Sequence, residues 1–335
     1  MKARILTLIF CFATLFAFAE NSFNDINASY KYSKKRTIDA NFEVAENYAL
    51  SLTGKYSDYK ISTWNENYVS FHVEIITKSN KQEAAENMLY AIDVDFDNAK
   101  MDKKINAKTV INKNNIKNVS FHISYYVMVP QDISISIYNL YGDVHIDKAN
   151  KDLYVEMKYG DFSIDNIFTH AEINLLYGDA NIKNAKHITA YMSYGDVNVV
   201  NVNKASINMN YGSANFNAVD VLDGKFNYSD IELGNVTKTA YININYGDVE
   251  INNMNNDFEL IKVQANYSDI ELSLNETMSF FYDISLLYGD VKNDVLEKYA
   301  KRITEKNYRT SMIGNINDEN QQHKIIISGN YSDVN

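Results

Sequence analysis

Acidic residues recur in one part of the chain at a spacing that could bring six carboxylates together. Each copy reads Asp, then an apolar residue, then Glu, which is typical of a β-strand with one buried face. If three such strands stack about 5 Å apart, the carboxylates form two outward columns that repel one another. Ca²⁺ prefers oxygen ligands of this kind. The sequence therefore allows either a weak cation site or a solvated stripe without metal. This acidic stripe comprises Asp230, Glu232, Asp248, Glu250, Asp269 and Glu271.

The other chemistry-bearing residues form no catalytic pattern. The one cysteine is Cys11, and no two of the six histidines have the spacing of zinc ligands. A lyase needs cations beside an acidic groove, but only four arginines occur and none lies in the regular array described below. A hydrolase needs two converging carboxylates in different surroundings, whereas these recur monotonously. We therefore expect no enzyme, no catalytic residue and no cofactor, with a carbohydrate-active enzyme as the least favoured alternative. The histidines are His72, His122, His145, His170, His187 and His323.

The elements that position these residues follow from a repeated phrase, Tyr-Gly-Asp or Tyr-Ser-Asp. Successive copies are 17 to 21 residues apart, and outlying copies begin at Tyr56 and Tyr331. One copy, Tyr211-Gly212-Ser213, lacks the aspartate. A short, regular period indicates a stacked array of repeats. The tyrosines of the main array are Tyr141, Tyr159, Tyr177, Tyr194, Tyr211, Tyr228, Tyr246, Tyr267 and Tyr288.

Apolar residues alternate with polar residues on both sides of each tyrosine, as Val155, Met157, Phe162 and Ile164 do around Tyr159. This period of two predicts one strand that leads into the tyrosine and one that leaves after the aspartate. Two strands in about 18 residues form one coil of a parallel β-solenoid. About ten coils at roughly 4.8 Å give a rod roughly 45–50 Å long. The predicted fold class is therefore all-β, a parallel β-solenoid (β-helix).

The repeated phrase itself predicts corner chemistry. The tyrosine shares the parity of the apolar columns, so its ring should face inward as a structural ladder. The glycine should supply a positive φ at a tight corner, and the aspartate should accept hydrogen bonds from backbone N–H groups. Asparagines that precede the tyrosine in successive copies could form amide ladders. A sugar-binding strip that includes the outward Tyr138 and Tyr191 is the alternative. The asparagines are Asn210, Asn227, Asn245 and Asn266.

The two ends differ from the array, and we divide the chain into three parts. Residues 1–19 have charged Lys2 and Arg4, an apolar stretch and a small-x-small site at Ala17-Phe18-Ala19, which predicts a signal peptide. Residues 20–135 should form an N-terminal capping region with a first coil and a helix over residues 79–92, because open solenoid ends need covering. Residues 136–335 should form the β-solenoid domain, with a second helix over residues 294–303 and a closing strand over residues 324–328.

Charge narrows the class of partner. The chain has 32 Lys and Arg against 43 Asp and Glu, a formal net charge of −11. Loss of Lys2 and Arg4 with the leader would change this charge by two, to −13. Such a surface repels nucleic acid and anionic lipid. No later segment is apolar enough to cross a bilayer as a helix. An unidentified glycan or protein ligand is the expected partner.

Together these features resemble a bacterial putative-adhesin family with β-strand repeats, a domain of unknown function common in the Bacteroidetes. The resemblance rests on the signal peptide, the segment Ile61-Ser62-Thr63-Trp64, the helix before Ile92-Asp93-Val94-Asp95-Phe96, and the serial Tyr-Gly-Asp-Val phrases. It implies an exported, non-enzymatic β-solenoid at the cell surface, secreted or in the periplasm. An adhesin-like binding or structural module is the first expectation. A periplasmic envelope protein with a structural or sensing role is the second.

Overall fold

The computed structural model describes residues 30–112, 118–274, 276–317 and 322–335. The predicted signal peptide, residues 1–19, lies outside the described residues. The elements in chain order are β1 (Tyr32–Glu43), β2 (Ala49–Lys55), β3 (Ser57–Trp64), β4 (Tyr68–Ser79), α1 (Gln82–Ala91), β5 (Ile92–Ala99), β6 (Lys104–Ile111), β7 (Val119–Pro130), β8 (Ser134–Leu140), β9 (Val144–Ala149), β10 (Leu153–Lys158), β11 (Phe162–Leu176), β12 (Ala180–Ser193), β13 (Val197–Leu233), β14 (Val236–Asn245), β15 (Val249–Ile251), β16 (Leu260–Asn266), β17 (Ile270–Leu272), β18 (Phe280–Leu287), α2 (Asp294–Lys298), β19 (Ala300–Lys306), β20 (Arg309–Ile316) and β21 (Lys324–Asn330).

The protein is all-β, and its core is built from the alternating columns that the sequence predicts. Along β10, Leu153, Val155 and Met157 are buried while the residues between them are not. The same parity holds after the corner, where Phe162 and Ile164 are buried. Because each coil repeats these inward positions, the apolar columns merge into one core along the stack.

Most strands stack in parallel and form two long faces. The leading sheet contains the segments that run into each tyrosine, in the order β5, β6, β2, β8, β10, β11, β12, β13, β14, β16, β21, β18, β20 and β19. The trailing sheet contains the segments that follow each aspartate, in the order β1, β4, β7, β3, β9, β11, β12, β13, β15 and β17.

The order in space differs from the order in the chain at both ends. β2 lies between β6 and β8, and β21 lies between β16 and β18, each in parallel register with its neighbours. The segment 324–328 was predicted to close the array. Instead it lies between β16 and β18, and the antiparallel strands β20 and β19 follow β18 at the end of the sheet.

Helices occur near both ends, as the sequence predicts, but their bounds differ. α1 begins at Gln82 rather than near Ser79, and it packs Ala85, Met88 and Leu89 against β1 and β4. Ser79 does not cap α1 in the usual way, since its Oγ accepts from Lys81 N–H, one residue before the helix. α2 ends at Lys298, and the chain continues as β19, so the predicted helix over residues 294–303 is half strand.

Candidate functional site

The corner of each coil has a left-handed backbone at its tyrosine. Tyr159 and Tyr194 have φ of 57° and 58°, and every tyrosine of the repeated phrase falls in this region. The backbone around the corner is well bonded across coils: Tyr159 N–H donates to Leu176 O at 3.0 Å, and Phe162 N–H donates to Asp179 O at 2.8 Å. A non-glycine residue with positive φ is uncommon and costs roughly 1–2 kcal/mol. The fold therefore repeats a strained tyrosine in coil after coil.

The tyrosine rings stack into one continuous column on the outside of the solenoid. Neighbouring centroids are 4.7 to 5.1 Å apart, and most ring planes agree within 14°. From Tyr141 to Tyr331 the rings are 39 to 52% exposed. The predicted inward orientation is therefore wrong, because the left-handed residue breaks the alternation on which it was based. In spatial order this tyrosine column is Tyr56, Tyr141, Tyr159, Tyr177, Tyr194, Tyr211, Tyr228, Tyr246, Tyr267, Tyr331, Tyr288 and Tyr308.

The glycine after the tyrosine is required by close approach between coils. A Cβ added at Gly178 would lie 2.0 Å from Gly160 O, and the same clash recurs at neighbouring glycine corners. The prediction that glycine supplies the positive φ holds only at Gly142 and Gly212, whereas the tyrosine has a positive φ at every corner. Where serine replaces glycine its side chain turns inward: Ser229 and Ser268 are buried, and each Oγ donates to a backbone carbonyl two residues earlier.

The aspartates of the phrase form a column beside the tyrosines. Asp161 N–H donates to Asp143 Oδ1 at 2.9 Å, and Asp179 N–H donates to Asp161 Oδ1 at 2.9 Å. The predicted role, accepting from backbone N–H groups, is confirmed, although the donor belongs to the next coil. Ser213 N–H still donates to Asp196 Oδ1, but its own side chain supplies no carboxylate. The tyrosine and aspartate columns together are called the corner ridge below.

The predicted asparagine ladder is present and borders the corner ridge. Asn227 donates through Nδ2 to Asn210 Oδ1 at 3.2 Å, and Asn245 donates to Asn227 at 3.0 Å. The ladder continues through Asn266 to Asn330, the residue before the inserted Tyr331. Such amide ladders stabilise stacked strands, because each side chain donates to one neighbour and accepts from the other.

The acidic stripe lies on the outer face of the trailing sheet. Glu232, Glu250 and Glu271 are in direct parallel register, and all six carboxylates are exposed. The three aspartates have other partners, because Asp230, Asp248 and Asp269 each accept from a backbone N–H of the coil that stacks next to them. Within the described residues, no group of three or more His, Cys, Asp or Glu side chains is arranged to hold a metal ion. Cation binding at the stripe stays a prediction.

Two further groups of polar side chains lie close together: a buried pair of tyrosines and a pair of histidines. Tyr125 is buried, donates to or accepts from Thr109 at 2.7 Å, and stacks on Tyr59. Burial raises the pKa of both hydroxyls well above the ordinary value for tyrosine. The ring centroids of His170 and His187 are 4.5 Å apart, with the ring planes tilted by 46°. Burial, followed by the nearby His170, lowers the pKa of His187. No helix in the described part of the chain is long and apolar enough to cross a membrane.

Comparison with known families agrees with this architecture. The family described as Toastrack DUF4097 matches residues 19–332. The chain therefore belongs to the Toastrack DUF4097 family. A comparison with curated proteins gives no match.

Several solved structures are similar to this chain at low identity. A putative adhesin from Bacteroides fragilis has 13% identity and a TM-score of 0.40, with 89% of this chain and 96% of that chain covered. A putative adhesin from Parabacteroides distasonis has 8% identity and a TM-score of 0.43, with coverage of 69% and 91% respectively. A putative cell adhesion protein from Clostridium sporogenes has 12% identity and a TM-score of 0.25, with coverage of 90% and 98%.

Proposed function

We propose that the protein is an exported, non-enzymatic β-solenoid of about ten coils that acts as an adhesin-like binding module. In this proposal residues 1–19 are the signal peptide, residues 20–135 cap the rod, and residues 136–335 form the repeat domain. The contact surface is the corner ridge. The observation that carries the proposal is the half-exposure of its stacked tyrosines along the whole array.

The geometry of the ridge indicates how a ligand would contact it. Because each interior ring is covered on both faces by its neighbours, sugars or bases have no open ring face on which to stack. Ring edges and hydroxyls are exposed instead, beside a row of carboxylates. Both rows repeat about every 5 Å, the distance between stacked strands. A long ligand that lies along the rod and donates hydrogen bonds, such as a glycan or an extended protein segment, fits this surface. Nucleic acid does not, because the net charge is negative.

The location of the protein is the first test. Intact cells that carry a tagged version are treated with protease, and a periplasmic protein serves as the control. We expect loss of the tag while the periplasmic control survives, which places the solenoid at the surface. Protection in intact cells, with cleavage only after the outer membrane is permeabilised, would refute the adhesin role and favour a periplasmic envelope function.

The ridge itself is tested by removing hydroxyls without removing rings. A triple variant Tyr159→Phe, Tyr177→Phe and Tyr194→Phe keeps the stack, and we expect weaker binding to the glycan or protein recovered in surface screens. The control is Tyr90→Phe with Tyr241→Phe, since both side chains are exposed away from the corner. Equal binding by the triple variant and the control would exclude the hydroxyl row as the contact surface.

A further inference from the structure

The two ends of the leading sheet carry opposite charge. At one end, β5 pairs with β6, and at the other, β19 pairs with β20. Within the described residues neither terminal strand has a second strand partner. Such open edges are templates for pairing with another chain. Each of the two edges can therefore accept a further strand.

The outward face of β5 is acidic. Asp93, Asp95 and Asp97 are exposed, while Val94 between them is buried. Asp93 already contacts Arg36, whose Nη2 lies 3.5 Å from Oδ1 and also donates to Ile92 O. The acidic character of this edge is therefore strongest at its C-terminal half, at Asp95 and Asp97.

The outward face of β19 is basic. Register with β20 places Arg302 opposite Ile313 and Lys306 opposite Arg309. Ile313 and Arg309 lie on the outer face of β20, whereas residues between them, such as Met312, are buried. Because paired residues share a face of the sheet, Arg302 and Lys306 point outward. Like charges directly opposite each other destabilise a strand pair. Lys306 and Arg309 would therefore gain from a partner that brings carboxylates.

The directions of the terminal strands also match. All strands from β6 to β18 in the leading sheet run parallel, whereas β5 runs against them and β19 runs with them. A copy placed end to end would pair its β5 antiparallel to β19 of its neighbour, which is a favourable arrangement. One register puts Arg302 opposite Asp97 and Lys306 opposite Asp93. The same register puts Ile303, which is 50% exposed, opposite the partly buried Phe96.

We propose that a second copy of this chain docks end to end, with its acidic β5 edge added to the basic β19 edge. The interface is heterologous, so repetition extends one continuous sheet into a filament rather than closing a dimer. Charges on edge strands often serve to prevent pairing. Prevention of pairing requires charged residues at both ends of the sheet, but it does not require negative charge at one end and positive charge at the other. The proposal does not depend on the function proposed above.

Self-association of the purified exported protein tests the proposal. Analytical ultracentrifugation at low ionic strength should show mass that grows with concentration, and salt should reverse it, because exposed charge pairs are screened. The basic-end variant, Arg302→Glu with Lys306→Glu, should weaken association at least ~10-fold, because it places like charges across the interface. The control, Lys158→Glu with Lys225→Glu, makes the same charge change at exposed sites in the middle of the leading sheet and should associate normally.

Mixing experiments separate this interface from a general charge effect. The acidic-end variant, Asp93→Lys with Asp97→Lys, changes the two carboxylates that face Lys306 and Arg302 and should also lose association alone. An equimolar mixture with the basic-end variant should recover it, since each altered edge then meets a complementary one. Circular dichroism verifies that each variant is folded. A wild-type protein that stays monomeric at all concentrations and salts would overturn the proposal and indicate that the charges protect the edges. Failure of the mixture to recover association, with both variants folded, would also overturn it.

Discussion

Substitution of one ridge tyrosine by alanine and by glycine separates ring stacking from backbone strain. Tyr194 stacks on Tyr177 at 4.8 Å and on Tyr211 at 4.9 Å, with ring planes 13° and 2° apart. Each aromatic pair contributes about 0.5–1.5 kcal/mol. Tyr194→Ala should therefore cost about 1–3 kcal/mol in free energy of unfolding from the two lost pairs.

The glycine variant loses the same ring pairs but relieves the left-handed backbone. Tyr194 has φ of 58°, which costs a non-glycine residue roughly 1–2 kcal/mol. Glycine loses about 0.5–1 kcal/mol more in chain entropy than alanine. Tyr194→Gly should therefore be more stable than Tyr194→Ala by about 0.5–1 kcal/mol.

Tyr191 provides the matched control, because it is 49% exposed on β12 and its φ is not positive. At this position the order should reverse, and Tyr191→Gly should be less stable than Tyr191→Ala. Urea unfolding measures each difference as a shift in midpoint, provided that the slope of free energy against urea concentration stays constant. The same order at both positions would refute the strained-corner account. A cost below about 0.5 kcal/mol for Tyr194→Ala would refute stabilisation by stacking.

Three further outcomes follow from the corners and the acidic stripe. Gly178→Ala should cost about 2–4 kcal/mol in urea unfolding, because its Cβ would lie 2.0 Å from Gly160 O and force the coils apart; an unchanged midpoint would contradict this. The hydrogen bond from Lys292 lowers the pKa of Asp333, so its contribution to stability is present above the unfolded pKa and lost as pH falls through the folded value. The stability difference between wild type and Asp333→Asn should therefore shrink on acidification, and a constant difference would exclude the pair. Calorimetric titration with Ca²⁺ tests the predicted cation site of the acidic stripe: binding heat that Asp248→Asn removes would confirm the site, and no heat from either protein would exclude it.

The strand columns could be predicted from sequence because burial alternates strictly within a strand. Val155 and Met157 on one side of the corner, and Phe162 and Ile164 on the other, are all buried as expected. The amide ladder was predictable for the same reason, since equal offsets from the tyrosine become equal heights in the stack. Both predictions use only local period and vertical repetition, which the sequence contains directly.

The corner could not be predicted because its conformation breaks a local preference. A left-handed backbone favours glycine, asparagine or aspartate, and each phrase has glycine or serine directly after the tyrosine. The sequence therefore predicts a positive φ at the glycine and a tyrosine ring that points inward, as the alternation of the strand would place it. In the structure the tyrosine takes the left-handed conformation, which turns its ring outward, and Gly160 is needed because the backbone of the preceding coil, at Gly142, approaches it closely.

The insertions at the ends depend on pairing between distant parts of the chain. Asp333 N–H donates to Asp269 Oδ1 across 64 residues, and Asp143 N–H donates to Asp58 Oδ1 across 85 residues. A period measured along the chain predicts that each copy of the phrase stacks on the copy that precedes it in the sequence. Outlying copies of the phrase therefore identify a coil without identifying its place in the stack. The phrases at Tyr56 and Tyr331 contain the correct corner chemistry, but only their distant partners decide where they lie.

The tyrosine column combines backbone strain, ring stacking and burial at every corner. A left-handed tyrosine costs roughly 1–2 kcal/mol, and one stacked pair per coil returns about 0.5–1.5 kcal/mol in addition to the area that the half-buried ring removes from water. Asparagine tolerates the left-handed region with less strain, but it has no aromatic face to stack on the next coil. Tyrosine also differs from asparagine in this position by the large exposed ring edge and hydroxyl that it presents at every step. In the proposed function, this repeated edge is the feature that a ligand would contact.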